Sequence, residues 1–235
     1  MQSRKMKSIF IAGTDTSCGK TLITGLLGKY LLDRGYNIIT QKWVQSGKPS
    51  DIMIHQKIMF GTKTKIFADR KIKKLIQPYY FTFPASPHLS ASIQKKKIRF
   101  QKIYQAFIKL TRLFDTVLVE GTGGLCVPLN HNDLLVDYIA KLKLPVILVT
   151  LNKLGTINHT LLSIEILKKR KIPIIGVIFN NIQKGNRIIL VDNPEIIHRF
   201  GSVNFLGTLP FSKNIETLKQ EFTKIGRRIE RWITG

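Results

Sequence analysis

The segment GTDTSCGKT at 13–21 carries the strongest chemical signal in the chain. An apolar run, Ile9 to Ala12, precedes it, and an apolar run with helical spacing follows. Strand, turn and helix start are the setting a phosphate-cradling loop needs. Backbone N–H groups at a helix N-terminus face outward and carry partial positive charge, which suits phosphate oxygens. Lys20 can reach a terminal phosphate, and the Thr21 hydroxyl can ligate magnesium. Ser17, Cys18, Gly19, Lys20, Thr21 and Leu22 are therefore expected to bind ATP. The usual pattern places its first glycine at what is here Thr14. In this chain the glycine sits one place earlier, at Gly13, which marks a variant class of loop.

Other segments add polar groups at the ends of apolar runs. In VLVEGTGG (117–124), Glu120 closes a strand-like run before the turn Gly121-Thr122-Gly123. It either holds magnesium, as a strand-end acid does in many phosphate-loop enzymes, or is a solvated carboxylate at a turn. In QKWVQSG (41–47), just after a second strand, Lys42 and Ser46 fall on the same rim as Lys20. A second lysine exceeds what nucleotide binding needs and suggests another anionic group, or charge developing in a transition state. The alternative is a surface lysine on a loop. Asp51 offers a second magnesium oxygen or, alternatively, opens a helix. Asn180 and Asn181, at the end of GVIFNN, present amides with both a donor and an acceptor, which suits an adenine edge. Asparagine is also a common turn residue.

Alternating elements must position these groups. Strands are expected at 8–13, 37–40, 116–121, 145–150 and 173–180, several of them continuously apolar and β-branched, as strands buried on both faces are. Helices are expected at 20–33, 100–113, 134–142, 156–170 and 214–232. The alternation implies an α/β fold: a parallel β-sheet flanked by helices, with right-handed crossovers, in a single domain over 1–235. Residues 48–99 are the least regular and are expected to hold loops and short helices.

The 38 basic residues against 14 acidic give a net charge of +24. That invites a nucleic-acid reading. The basic runs RKIKK (70–74), KKKIR (95–99) and KKRK (168–171) are scattered, however, and lack interleaved aromatics for base stacking. A solvated basic surface with no specific nucleic-acid partner is the reading adopted. No apolar run is long enough to span a bilayer, and the basic start MQSRKMKS does not lead into a signal-peptide core. Cys18 and Cys126 are expected to be free thiols in a reducing cytoplasm.

Taken together, the motifs resemble the dethiobiotin synthetase family, ATP-dependent carboxylases of biotin synthesis. The family's loop reads Gly-Thr-Asp-Thr-x-x-Gly-Lys-Thr, which matches GTDTSCGKT and accounts for the displaced glycine. The likeness continues in order through KWVQSG (42–47), PASPHLSA (84–91), EGTGG (120–124), LPVILV (144–149), KLGTINH (153–159) and GTLP (207–210), covering roughly 7–215. Two positions depart from it: Trp43, where the family commonly has proline, and Thr122, where it commonly has alanine.

The resemblance implies a three-layer sandwich of the P-loop NTPase type, working as a homodimer. It implies ATP- and magnesium-dependent closure of 7,8-diaminononanoate and CO₂ (from bicarbonate) to dethiobiotin, through a carbamate and a carbamic–phosphoric anhydride. Lys42 and Lys20 would be catalytic. Thr21, Asp51 and Glu120 would hold Mg²⁺. Thr16, Lys42, Ser46, Lys153, Gly155 and Asn158 would bind the substrate, the last three from an interface loop. Asn180, Asn181, Pro210, Phe211 and Ser212 would hold the adenine. A competing class is the partitioning or septum-positioning ATPase, which carries a second lysine early in the loop. Residues 14–18 here are TDTSC, with none.

Overall fold

In the computed structural model, residues 7–61 and 69–235 are described. The basic residues 1–6, and 62–68 within the irregular region, lie outside them. The strands are β1 (Ile9–Gly13), β2 (Ile38–Lys42), β3 (Val44–Ser46), β4 (Tyr79–Phe81), β5 (Thr116–Gly124), β6 (Val146–Leu151), β7 (Ile174–Asn180) and β8 (Phe205–Leu209). The helices are α1 (Lys20–Asp33), α2 (Asp51–Phe60), α3 (Arg70–Ile76), α4 (Pro87–Ile93), α5 (Phe100–Leu113), α6 (Leu135–Leu142), α7 (Thr156–Lys169), α8 (Arg187–Gly201) and α9 (Ile215–Thr234).

Six strands form one sheet in the order β2-β5-β1-β6-β7-β8, with every pairing parallel. Successive side chains of a strand point to opposite faces. Phe10, Ala12, Val117, Val119, Val146 and Leu148 thus join the core under α5, α6 and α7. Ile9, Ile11, Leu118, Ile147 and Val149 join the other core, under α1 and α9. Both faces are covered, which is why the central strands read as unbroken apolar runs rather than as alternation.

Three departures from the sequence reading follow from packing. β2 runs on through Gln41 and Lys42, and β5 through the glycine turn to Gly124, where Gly13 pairs with it. Lys42 is thus the last residue of a strand and Glu120 a mid-strand residue. β8 is a sixth strand, paired only to β7, in a segment whose exposed Phe205 and central Gly207 mute the strand pattern. α8 has no clear helical signal in the sequence because Pro194 sits inside it. Proline has no N–H for the carbonyl four residues back. Here the Asn152 side chain replaces it, donating from Nδ2 to Leu190 O at 2.9 Å.

The region 48–99 holds α2, α3 and α4, and β4 pairs with β3 in a separate parallel ribbon. α2 is fixed by Ile58 and Met59, which are buried with the side chains of α1. Its first N–H, on Asp51, donates to the Gln45 side chain at 3.0 Å.

Trp43 sits between β2 and β3, 1% exposed, its ring 4.9 Å from that of Phe10 and its Nε1 donating to Gln41 Oε1 at 3.1 Å. Replacement of Trp43 by alanine would leave a cavity beside Lys42. Trp43→Ala is expected to lower unfolding free energy by about 3–5 kcal/mol, read from urea denaturation. A loss under about 1 kcal/mol would show that the tryptophan is not a packing element.

Candidate functional site

The carboxyl ends of β1, β2 and β5 open into a cavity of about 810 Å³. Ligands of such sheets gather at this edge. Thr16, Ser17, Gly19, Lys20, Thr21 and Leu22 line it from the loop and the start of α1. Lys42, Ser46, Asp51, Glu120, Thr122 and Gly123 line it from the other side. Cys18 and Gly121 are buried.

The position of the first loop glycine has a steric reason. A Cβ on Gly13 would lie 2.5 Å from Cys18 Sγ and 2.7 Å from Lys20 Nζ. Lys20 folds back over that bare backbone and donates to Asp15 O at 2.7 Å. Gly19 begins α1 in the left-handed region, at φ 101°. A Cβ there would fall 2.0 Å from the Asn180 amide nitrogen, which donates to Cys18 O at 3.1 Å. The strand-end asparagine therefore supports the loop from below.

The second motif and the third meet because β2 and β5 are neighbours, with Lys42 in register with Glu120. Lys42 Nζ lies 2.9 Å from Glu120 Oε1, 2.6 Å from Asp51 Oδ2 and 2.6 Å from Gly121 O. Thr21 donates its hydroxyl to the same Glu120 oxygen at 2.9 Å. His55, one helical turn after Asp51 on α2, meets the other oxygen at 2.7 Å through Nε2. Lys42 is 3% exposed and Glu120 1%. The surface-lysine and solvated-carboxylate alternatives do not hold.

Burial by itself would raise the Glu120 pKa. The Lys42 ammonium and the His55 hydrogen bond outweigh it and hold the carboxyl well below the usual range. Burial would likewise lower Lys42, and the Glu120 and Asp51 charges overcome it and raise its pKa. Both groups are charged at neutral pH. Glu120 Oε1 and Asp51 Oδ2 both meet the Lys42 ammonium, and Thr21 Oγ1 meets the same Glu120 oxygen; these are hard oxygen donors of the kind magnesium takes.

Sequence reasoning missed His55 and Gln45. The i, i+4 spacing from Asp51 to His55, which places both on one helix face, was the available signal for the histidine. The two departures from the family pattern have local uses. Trp43 fills core, and Thr122 donates to Val44 O at 2.6 Å, tying the glycine turn to β3.

The remaining expected residues lie outside the cavity. Asn181 follows β7, and Pro210, Phe211 and Ser212 follow β8. Asn181 N donates to Leu209 O at 3.0 Å, so the two groups adjoin each other on the Asn180 side of the loop. The buried Oδ1 of Asn181 has no hydrogen-bond partner among the described residues. Lys153, Gly155 and Asn158 are exposed at the start of α7. A buried hydroxyl chain connects that region to the loop: Thr150 Oγ1 lies 3.2 Å from Thr14, 2.6 Å from Thr156 and 2.9 Å from Thr160. Cys18 and Cys126 are free thiols.

A family described as an AAA domain matches residues 7–219. ATP-dependent dethiobiotin synthetase BioD 2 of Haemophilus ducreyi is 42% identical over 154 residues, spanning 64% of this chain and 71% of that protein. ATP-dependent dethiobiotin synthetase BioD of Halalkalibacterium halodurans is 38% identical over 223 residues, spanning 91% of this chain and 88% of that one. Among solved structures, the septum site-determining protein MinD of Pyrococcus horikoshii, complexed with Mg-ADP, superposes with a TM-score of 0.62 at 17% identity, over 97% of this chain and 98% of that one. At that identity the likeness concerns the fold alone.

The buried carboxylate has a consequence for stability. Its folded pKa is depressed, so its contribution is complete above the unfolded value near 4.5 and is lost as pH falls toward the folded one. Thermal melts between about pH 6 and pH 3 are expected to fall more steeply for the wild type than for Glu120→Gln. At neutral pH the variant is expected to be less stable by about 3 kcal/mol, since Lys42 loses a buried partner. Parallel melting curves would show that the pair does not contribute.

Proposed function

Because the chain belongs to the AAA-domain family and, within it, to the ATP-dependent dethiobiotin synthetases, we propose that it closes 7,8-diaminononanoate and CO₂ into dethiobiotin at the expense of ATP, as a ligase of biotin biosynthesis. The observation that carries this reading is the place of Lys42. It is a buried, charged lysine facing the same cavity as the phosphate loop, held by two carboxylates. Nucleotide binding alone gives it no task.

On this reading one substrate amine combines with CO₂ to form a carbamate. A carbamate oxygen attacks the γ-phosphorus of ATP, and ADP leaves. The second amine then attacks the carbonyl carbon of the mixed anhydride, expels phosphate and closes the ureido ring. Such chemistry needs positioned charge rather than a protein nucleophile. The loop backbone and Lys20 hold the phosphates, with Ser17 to Leu22 and Gly121 to Gly123 around them. Lys42 meets the carbamate and the charge that develops on the transferring phosphoryl group. Thr16 and Ser46 hold the amine or carbamate end of the substrate. Thr21, Glu120 and Asp51 would hold magnesium, which when bound supplies charge neutralisation on the phosphates.

The adenine falls to Asn180, Asn181 and the backbone at Pro210, Phe211 and Ser212. The orphan Oδ1 of Asn181 is an acceptor suited to an exocyclic amine. Lys153, Gly155 and Asn158 are exposed outside the cavity of their own chain, which supports a homodimer in which they complete a substrate site across the interface. Among the described residues no helix is long and apolar enough to cross a membrane, and the proposed compartment is the cytoplasm.

Incubation with ATP, magnesium, bicarbonate and the diamine is expected to yield dethiobiotin, with ADP release slow unless both carbon substrates are present. Lys20→Ala is expected to abolish turnover in a folded protein. Lys42→Ala is expected to lower the coupled rate by about 10²–10³-fold while nucleotide affinity changes little. Rapid ATP hydrolysis without the diamine would instead favour a regulatory ATPase.

A further inference from the structure

We propose that His55 is a positioning residue for the carboxylate of Glu120: its Nε2–H fixes Oε2, which leaves Oε1 directed at Thr21, Lys42 and a bound divalent cation. The inference rests on the reading of the cavity as a magnesium–ATP site.

The geometry divides the two carboxylate oxygens between different tasks. Oε1 accepts from Thr21 and Lys42, both of which line the cavity. Oε2 points away from them and, among the described residues, meets only the imidazole, at 2.7 Å. An ionised carboxylate only accepts hydrogen bonds, so Nε2 must carry a proton. Glu120 carries that charge against the Lys42 ammonium, 2.9 Å from Oε1. The ring is 0% exposed, and its Nδ1 has no partner among the described residues. No second hydrogen bond therefore selects its tautomer or orientation, and Glu120 alone does. In return the imidazole stops the carboxylate from turning Oε2 toward the cavity. A leucine would fill the same volume without leaving a nitrogen unpaired, so packing by itself gives no reason for a histidine here. Partners of this outer kind orient metal-facing carboxylates.

α2 makes the arrangement a unit. Asp51 and His55 lie one turn apart and reach Lys42 and Glu120 respectively. Ile58 and Met59 seat the same helix on α1, which carries Thr21.

The test is Mn²⁺ binding by electron paramagnetic resonance in the presence of ADP, with nucleotide affinity measured separately without metal. His55→Leu is expected to weaken Mn²⁺ binding by about 10–100-fold with metal-free nucleotide affinity unchanged. His55→Gln, whose amide N–H can reach Oε2, is expected to restore most of it. A merely structural role predicts equal losses in both measurements and no rescue by glutamine. Wild-type affinity for Mn²⁺ in His55→Leu would overturn the role of His55 alone. Failure of the wild type to bind Mn²⁺ with ADP would overturn the site reading and this inference with it. Should His55→Leu not fold, ¹⁵N NMR of the wild-type ring decides. The Nε2–H tautomer supports the proposal, and a proton on Nδ1 with none on Nε2 overturns it.

Discussion

A lysine and a glutamate in register on adjacent strands, shut away from water, set the terms for the rest of this molecule. Moving two charges into a low-dielectric interior costs several kcal/mol each, and their mutual attraction offsets this only if the remaining donors and acceptors are also satisfied. Lys42 and Glu120 meet that condition through three elements. β5 supplies the Gly121 carbonyl, α1 the Thr21 hydroxyl, and α2 both Asp51 and His55. The docking of α2 is thus required by the pair as much as by its own apolar face. A helix in an otherwise irregular stretch of sequence stands where the buried charges need one.

The phosphate loop depends on the same economy of polar groups. Its backbone is held from beneath by Asn180 and from the side by Thr14, through the Thr150, Thr156 and Thr160 hydroxyls. Lys20 lies in the fold of the loop itself, over a glycine that leaves room for it. Asn152 shows the principle away from the site, where a side-chain amide stands in for the N–H that Pro194 lacks. On the proposed function, loop and ion pair face each other across the cavity with opposite duties. The loop grips phosphates already charged in the ground state, and the pair delivers a cation to charge that develops later.

Two residues that depart from the family resemblance have structural uses beside the pair. Trp43 and Thr122 flank the ion pair in sequence, one after Lys42 and one two residues after Glu120. The tryptophan ring packs on Phe10, and the threonine hydroxyl ties the glycine turn to β3. Each keeps the backbone beside a buried charge in place, by core contact in one case and by a hydrogen bond in the other.

Residue order alone determined the parallel α/β sheet, five of its six strands, the loop with its lysine and threonine, and the set of motifs that resemble the family. These are local signals, carried by period, by glycine spacing and by residue type within a few positions. Residue order did not determine β8, whose glycine and exposed phenylalanine mute the strand pattern, or α8, whose internal proline is accommodated by the side chain of Asn152, just past the end of β6. It named Lys42, Glu120 and Asp51 singly and left open whether each was a surface group. Only the fold decided that they meet, because β2 and β5 become neighbours through the crossover order of the sheet. His55 went unread for the same reason: its partner lies 65 residues away, and a histidine on a helix takes its meaning from what the tertiary structure sets opposite it.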